Sequence, residues 1–187
     1  MLARDAARGW LGANPVAEAL NGTGELAIKL LLLSLACTPA RIVTGSPWPI
    51  RARKHLGLLA FTYALGHFTI YIALDRLGAL GSILGDLTER PFVIVGFIAL
   101  LLLVPLAITS TKRAVLRLGG KRWNRLHKLV YVIAVLAVVH FTLRAKKDVT
   151  EAAVHGAILA VLLSVRGVDW LRKRARRPTL APLRRAG

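Results

Sequence analysis

The chain has 187 residues, 55% of them apolar, and its 27 Lys and Arg residues against 9 acids give a formal net charge of +18. In a soluble protein that charge would indicate nucleic acid as the partner. However, the mean hydropathy of +0.55 and the gathering of apolar residues into long blocks argue against a soluble domain. The single cysteine, Cys37, excludes a disulfide framework and any CxxC motif.

Five stretches of the chain approach the roughly 20 apolar residues that a helix needs to cross a bilayer core of about 30 Å. They are residues 26–43, 55–74, 91–111, 126–143 and 152–168. The first carries Lys29 and ends in Thr38-Pro39, whereas the third has no ionisable residue. We therefore predict an all-α integral membrane bundle of five spanning helices over residues 26–168, with 1–25 and 169–187 as terminal segments.

The segments outside the spans carry no soluble catalytic or targeting unit. Residues 1–25 lack the apolar core of a signal peptide, so the first span is expected to serve as the targeting signal. The loops contain no glycine-rich nucleotide-binding motif, and a hydride donor would therefore have to act through another protein.

Basic residues are concentrated in three of the segments outside the spans. Eighteen Lys and Arg residues, with Asp169 as the one acid, lie in segments 41–54, 112–125 and 166–187. Seven basic residues and eight acids lie in segments 1–25, 75–90 and 144–151. The positive-inside rule therefore predicts a bacterial inner-membrane protein with a periplasmic N-terminal segment and a cytoplasmic C-terminus. The basic tail from Arg172 is expected to lie on anionic lipid.

Four of the five histidines lie in the second and fourth predicted spans: His55, His67, His127 and His140. An imidazole inside a membrane usually serves a bound group, a proton path or an interhelical hydrogen bond. The histidines of each span are 12 and 13 residues apart, which corresponds to a rise of about 18 to 20 Å. Because the two spans run in the same direction, the spacing predicts two level pairs, His55 with His127 and His67 with His140.

Each level pair suits a haem b held between two imidazoles, an arrangement typical of electron transfer because it leaves no coordination position open. A straight helix turns by about 120° or 220° over these spacings, so a rotamer choice or a bend is needed to bring both histidines to one face. His55 lies at the membrane edge, where an interfacial role is the alternative to ligation. His155 has no counterpart at matching spacing and is expected to be structural.

The cations near the predicted levels allow two interpretations. Haem propionates need basic partners, which residues 51–54, Lys121, Arg122 and Arg125 supply at the inner level, and Arg144 and Lys146 at the outer level. The same residues also obey the positive-inside rule as solvated loop charge.

Other chemistry is weakly supported. No Asp or Glu lies within the predicted spans, which argues against a carboxylate proton relay or a cation transporter. There is no HExxH motif or carboxylate cluster for a metal. A haem-free membrane anchor or small transporter, in which the histidines only tie helices together, is the alternative from another functional class.

Several motifs over residues 11–170 are those of a known family. They are Arg53 with Leu56-Gly57 and His67, and the stretches LGANP at 11–15, TGELAIKLLLLSLACTPAR at 23–41, RPFVIVGF at 90–97, LAITST at 106–111 and LGGKRWNRLHKLVYVIAVLAVVH at 118–140. The chain thereby resembles the MsrQ (YedZ) family of haem-binding membrane subunits, within the ferric-reductase-like transmembrane superfamily.

The resemblance implies a function and a set of residues. It implies His67, His127 and His140 as haem-site residues and axial ligands, and a basic residue at Arg53. It also implies a non-catalytic electron-transfer subunit that takes electrons from the quinone pool or a cytoplasmic flavin reductase, with FMN as an optional second cofactor. The implied acceptor is MsrP, a periplasmic molybdopterin subunit that reduces methionine sulfoxide in proteins. Another cytochrome b of the ferric reductase or oxidase type is the nearest alternative.

Two features depart from the family pattern. The position of His55 does not require histidine in the family, which weakens a symmetric two-haem arrangement. The family also usually has another hydrophobic segment ahead of the LGANP-like stretch, where ten residues precede it here. Either the protein has five spans or its start codon lies further upstream.

Overall fold

The computed structural model describes residues 14–145 and 148–176, and these fold into eight α-helices. The segment before Asn14, the pair Lys146 and Lys147, and the tail beyond Arg176 lie outside the described residues. The helices are α1 (Pro15–Thr44), α2 (Trp48–Ile70) continued by a π-helical turn (Tyr71–Asp75), α3 (Leu80–Glu89), α4 (Pro91–Ile108), α5 (Lys112–Leu118), α6 (Gly120–His127), α7 (Leu129–Arg144) and α8 (Thr150–Ala175).

Five segments of the described chain are long and apolar enough to cross a membrane, which confirms the predicted five-span bundle. They are Pro15–Thr44, Trp48–Asp75, Pro91–Ile108, Gly120–Arg144 and Thr150–Ala175. Their outward faces leave large apolar side chains uncovered, since Leu33, Leu101 and Val161 are 53%, 52% and 62% exposed. Lipid is the solvent that satisfies such a surface.

The spans pack as two helix pairs closed by a fifth helix. The most extensive contacts are those of α1 with α2, followed by those of α4 with α7, while α8 lies against α1 and α7. The centre of the bundle holds Leu35 and Ile133, which are 1% and 0% exposed.

The first helix begins well before its apolar block. Asn14 Oδ1 accepts a hydrogen bond from the Ala17 N–H at 3.0 Å, and Pro15 occupies the first helical position, where its missing N–H costs nothing. As a result α1 includes Glu25, and α8 includes Glu151. The predicted apolar stretches hold no Asp or Glu, but the candidate spans extend beyond them and include acids: Glu18 and Glu25 in the first, Asp75 in the second, and Glu151 and Asp169 in the fifth.

Pro39 lies inside α1 and leaves the Leu35 carbonyl without a helical N–H partner. The Arg166 guanidinium of α8 donates a hydrogen bond to that carbonyl. Arg166 Nη1 also donates to the Tyr131 hydroxyl of α7 at 2.6 Å. One arginine thus joins three spans at the point where proline interrupts the helical hydrogen bonding.

The connection between α2 and α4 is held by one buried carboxylate. Asp86 of α3 is 5% exposed and accepts a hydrogen bond from the Tyr71 hydroxyl at 2.7 Å. It also forms ion pairs with Arg76 Nη2 at 2.7 Å and with Arg90 Nε at 3.1 Å. These contacts fix α3 against the ends of α2 and α4.

We expect Asp86→Asn to lower the free energy of unfolding by about 2 to 4 kcal/mol, because a buried charge pair then loses one partner. Thermal unfolding in detergent measures the change. Asp75→Asn is the matched control, since the Asp75 carboxylate is 36% exposed and lies 3.4 Å from Arg76 Nε. Equal stability of the two variants would contradict a structural role for Asp86.

Before α8, Asp148 accepts the Thr150 N–H at 2.8 Å. The hydrogen bonds from Thr150 lower the pKa of the Asp148 carboxyl below its usual range. Asp148 therefore stays ionised beside the N-terminus of α8, where a negative charge is favourable.

Candidate cofactor site

His67 lies near the end of α2 and reaches across to α1. Its Nδ1 lies 2.8 Å from the carbonyl oxygen of Leu20. A carbonyl can only accept, so Nδ1 carries the proton and donates it, and in the neutral ring Nε2 keeps a free lone pair. The ring fits because residue 24 is glycine: a Cβ there would lie 3.0 Å from His67 Nδ1 and Cε1.

His140 lies near the end of α7 and is held in the same way by α4. Its Nδ1 lies 2.6 Å from the carbonyl oxygen of Phe92 and therefore donates to it. A Cβ at Gly96 would lie 2.6 Å from that nitrogen, closer than real Cβ contacts allow. In both cases the carbonyl belongs to the residue four positions before the glycine. The same arrangement of glycine, carbonyl and histidine therefore occurs twice.

The two imidazoles face each other across one cavity. Their ring centroids are 6.1 Å apart and their planes meet at 89°. Four spans line the cavity: α1, α2, α4 and α7. Its volume is about 1160 Å³, including the space at its open mouth. Its walls are mainly aliphatic and aromatic, as is typical of sites for large flat cofactors.

The pair fits the haem that the sequence predicts. Two metal–imidazole bonds of about 2.0 Å, with about 1.1 Å from each nitrogen to its ring centre, correspond to centroids about 6 Å apart. The observed 6.1 Å agrees with this value. The Nδ1 bonds to Leu20 and Phe92 are of the kind that orient metal-binding histidines, and they leave Nε2 of each ring free to bind a metal.

The rim of the cavity is polar. Asn21, Glu25 and Arg144 line it together with the apolar wall. The Arg144 guanidinium donates a hydrogen bond to Asn21 Oδ1 and lies over the Phe141 ring, 5.6 Å from its centroid. Arg144 is therefore placed where an anionic group of a bound cofactor would need a cation.

The residues predicted for the inner level are not brought together in the same way. His127 Nε2 lies 3.0 Å from Thr109 Oγ1, and its ring stacks on Trp123 with centroids 3.9 Å apart. His55 is exposed and makes no hydrogen bond or ring contact within the described residues. Arg53 is partly buried, and its carbonyl accepts a hydrogen bond from Ser34 Oγ at 3.0 Å.

Comparison with known proteins agrees with a membrane-spanning helical bundle. Residues 23–138 match the family model described as ferric reductase like transmembrane component. A relative from Rhodospirillum rubrum is 48% identical over 89% of this chain and 80% of its own length. One from Deinococcus radiodurans is 51% identical over 92% and 83%, and one from Herminiimonas arsenicoxydans is 46% identical over 91% and 79%. All three are called protein-methionine-sulfoxide reductase heme-binding subunit MsrQ.

The chain belongs to the MsrQ family. The ferric-reductase-like match begins one residue before Gly24 and covers His67, Gly96 and His127. The two glycines and the two carbonyls of the outer level were missed by reasoning from sequence. The available signal was the presence of glycine within these two membrane helices of this MsrQ-family chain, since small residues in such helices let neighbouring groups approach closely.

Proposed function

We propose that this chain binds haem b between His67 and His140 and is the electron-transfer subunit of a protein-methionine-sulfoxide reductase system. The observation that carries the proposal is the facing pair of imidazoles, 6.1 Å apart, with both Nδ1 atoms engaged by backbone carbonyls. Haem held by two imidazoles exchanges single electrons and leaves no open position for a substrate. The chain's own contribution is to hold both ligands at that separation and to keep water out of an apolar cavity.

The proposed location is a bacterial inner membrane with a cytoplasmic C-terminus. The concentration of Lys and Arg in segments 41–54, 112–125 and 166–187 supports this orientation. It puts the His67–His140 site near the periplasmic side, because α2 and α7 then run outward towards these residues. A periplasmic molybdopterin reductase of the MsrP kind is the proposed acceptor, which the site can reach over a short distance.

The proposed electron donor is the quinone pool or a cytoplasmic flavin reductase. A second haem or FMN is the proposed additional cofactor. For a second haem, the candidate residues of the inner level are His127, His55 and Arg53. Such a site would connect a cytoplasmic donor to the outer level across the bundle.

We expect the purified, haem-loaded protein, once reduced by dithionite and freed of excess reductant, to be re-oxidised by an MsrP-like subunit with methionine sulfoxide present. The Soret and α bands report the haem oxidation state directly. The control contains the partner subunit but no methionine sulfoxide. In it, the partner is expected to re-oxidise haem only until its own centre is reduced, which is at most a single turnover. A haem-loaded protein that stays reduced would contradict the acceptor, and a colourless protein would contradict the electron-transfer role itself.

A further inference from the structure

A second cavity lies on the flank of the bundle between α1 and α8, and we call it the flank groove. Its volume is about 990 Å³, including the space at its open mouth. Its polar lining comes from Glu25, Lys29, Thr150, Glu151 and His155. Glu25 lines both this groove and the His67–His140 cavity, so the two spaces are neighbours.

His155 is a buried histidine at the wall of the flank groove. It is 6% exposed, and its Nδ1 lies 2.7 Å from the Glu151 carbonyl oxygen, to which it donates. Within the described residues, Nε2 has no hydrogen-bond partner, and in the neutral ring that nitrogen is an acceptor. An acceptor without a protein partner, accessible at the wall of a cavity on an otherwise buried side chain, can receive a hydrogen bond from a ligand that carries a donor.

The ring of His155 also connects the two cavities. It packs against Phe141 with ring centroids 5.1 Å apart. Phe141 in turn lines the His67–His140 cavity. A molecule bound at His155 would therefore be separated from the proposed haem by about one aromatic side chain.

The charges of the flank groove select against an anionic ligand. Two carboxylates, Glu25 and Glu151, face one ammonium group, Lys29, which is already paired with Glu25. A phosphate headgroup would meet net negative charge here, whereas neutral hydroxyl groups would find acceptors. Beyond the polar end, the groove continues along Leu33 and Ile158, which are 53% and 43% exposed on the lipid-facing side. That end suits an apolar tail that enters from the bilayer.

From this placement we propose that the flank groove binds a membrane-soluble hydroquinone, with one hydroxyl donating to His155 Nε2 and the tail lying along the apolar end. The inference rests on the proposed function, because its oxidant is the ferric haem of the neighbouring cavity. It assigns the electron donor to the quinone pool and gives it a site.

The reaction at the groove balances as a two-electron oxidation. The hydroquinone loses both O–H protons and two electrons and leaves as the quinone. The protons pass to His155 Nε2 and to a carboxylate, Glu25 or Glu151, and from there to the aqueous phase. The electrons pass to two equivalents of ferric haem, either one after the other on the same site or on two sites.

The test uses the full-length, haem-loaded protein in detergent with a short-chain benzohydroquinone as reductant. His155→Leu is expected to slow haem reduction by at least ten-fold, with haem content and reduction by dithionite unchanged. His155→Gln retains an acceptor oxygen and is expected to recover part of the rate. Ser164→Leu is the control for a changed α8 surface, since Ser164 is exposed on the same helix outside the groove.

A second measurement does not depend on haem turnover. A photoreactive azidoquinone is bound to the unaltered protein, and the labelled peptides are mapped by mass spectrometry. We expect label on the Glu25–Ala36 part of α1 and on the first turns of α8, displaced by unlabelled quinone. An unchanged reduction rate in His155→Leu, label elsewhere, or displacement by phospholipid alone would overturn the inference. A protein without haem that still takes up the label in the groove would contradict only the proposed function.

Discussion

His67→Ala and His140→Ala are each expected to remove the haem of the outer level from the purified protein. Each change deletes one of the two imidazoles proposed as axial ligands, whose rings lie 6.1 Å apart. Losing only an outer contact to a metal ligand typically costs roughly 10- to 100-fold in affinity, so losing the ligand itself is expected to cost at least about that much. Haem per polypeptide, from the pyridine haemochrome spectrum, measures the effect.

Val139→Ala is the matched control, because Val139 adjoins His140 and is 39% exposed on the lipid side. It is expected to keep the haem content of the unaltered protein. The unaltered protein should hold one haem if only the outer level is used and two if His127 ligates a second. In the second case each histidine variant retains one haem. Full haem content with an unchanged spectrum in both variants would show that the pair does not bind haem.

The five spans could be predicted because membrane crossing depends on local composition, namely the length of the apolar blocks and the side on which basic residues cluster. The pairing of His67 with His140 could be predicted because the two residues lie at the same depth in two spans that run in the same direction. Between His127 and His140 the helix is interrupted at Lys128, where α6 ends and α7 begins. Depth along a helix can be counted from sequence, and rotation about it cannot.

The features that sequence reasoning missed all depend on which helix lies against which. Gly24 matters because α2 brings His67 onto it, and Gly96 matters because α7 brings His140 onto it. Glu25 fell just outside the apolar block, whereas the helix runs through it from Pro15. His155 was expected to be structural because it has no counterpart at matching spacing. That it lines one groove with Glu25 is visible only once α8 packs against α1.

Gly96→Ala is expected to lower haem content by roughly 10-fold or more, although it adds only one methyl group and changes no ligand. The added Cβ would lie 2.6 Å from His140 Nδ1 and 2.7 Å from Cε1. The helix backbone of α4 cannot yield easily, so the imidazole must move away and lose its bond to the Phe92 carbonyl. Gly24→Ala is expected to act in the same direction on His67 with a smaller effect, because its Cβ would lie 3.0 Å away.

The matched control for Gly96→Ala is Gly66→Ala, which places the same methyl group in a spanning helix next to His67. A Cβ at Gly66 has nothing within 4 Å, so haem content and spectrum are expected to stay unchanged. The comparison separates crowding of the ligand from any general effect of glycine in a membrane helix, since alanine favours the helix at both positions. If the Gly96 variant binds haem as well as the Gly66 variant does, then the Phe92 carbonyl does not orient His140. The outer site would then need a different geometry from the one that the two glycines create.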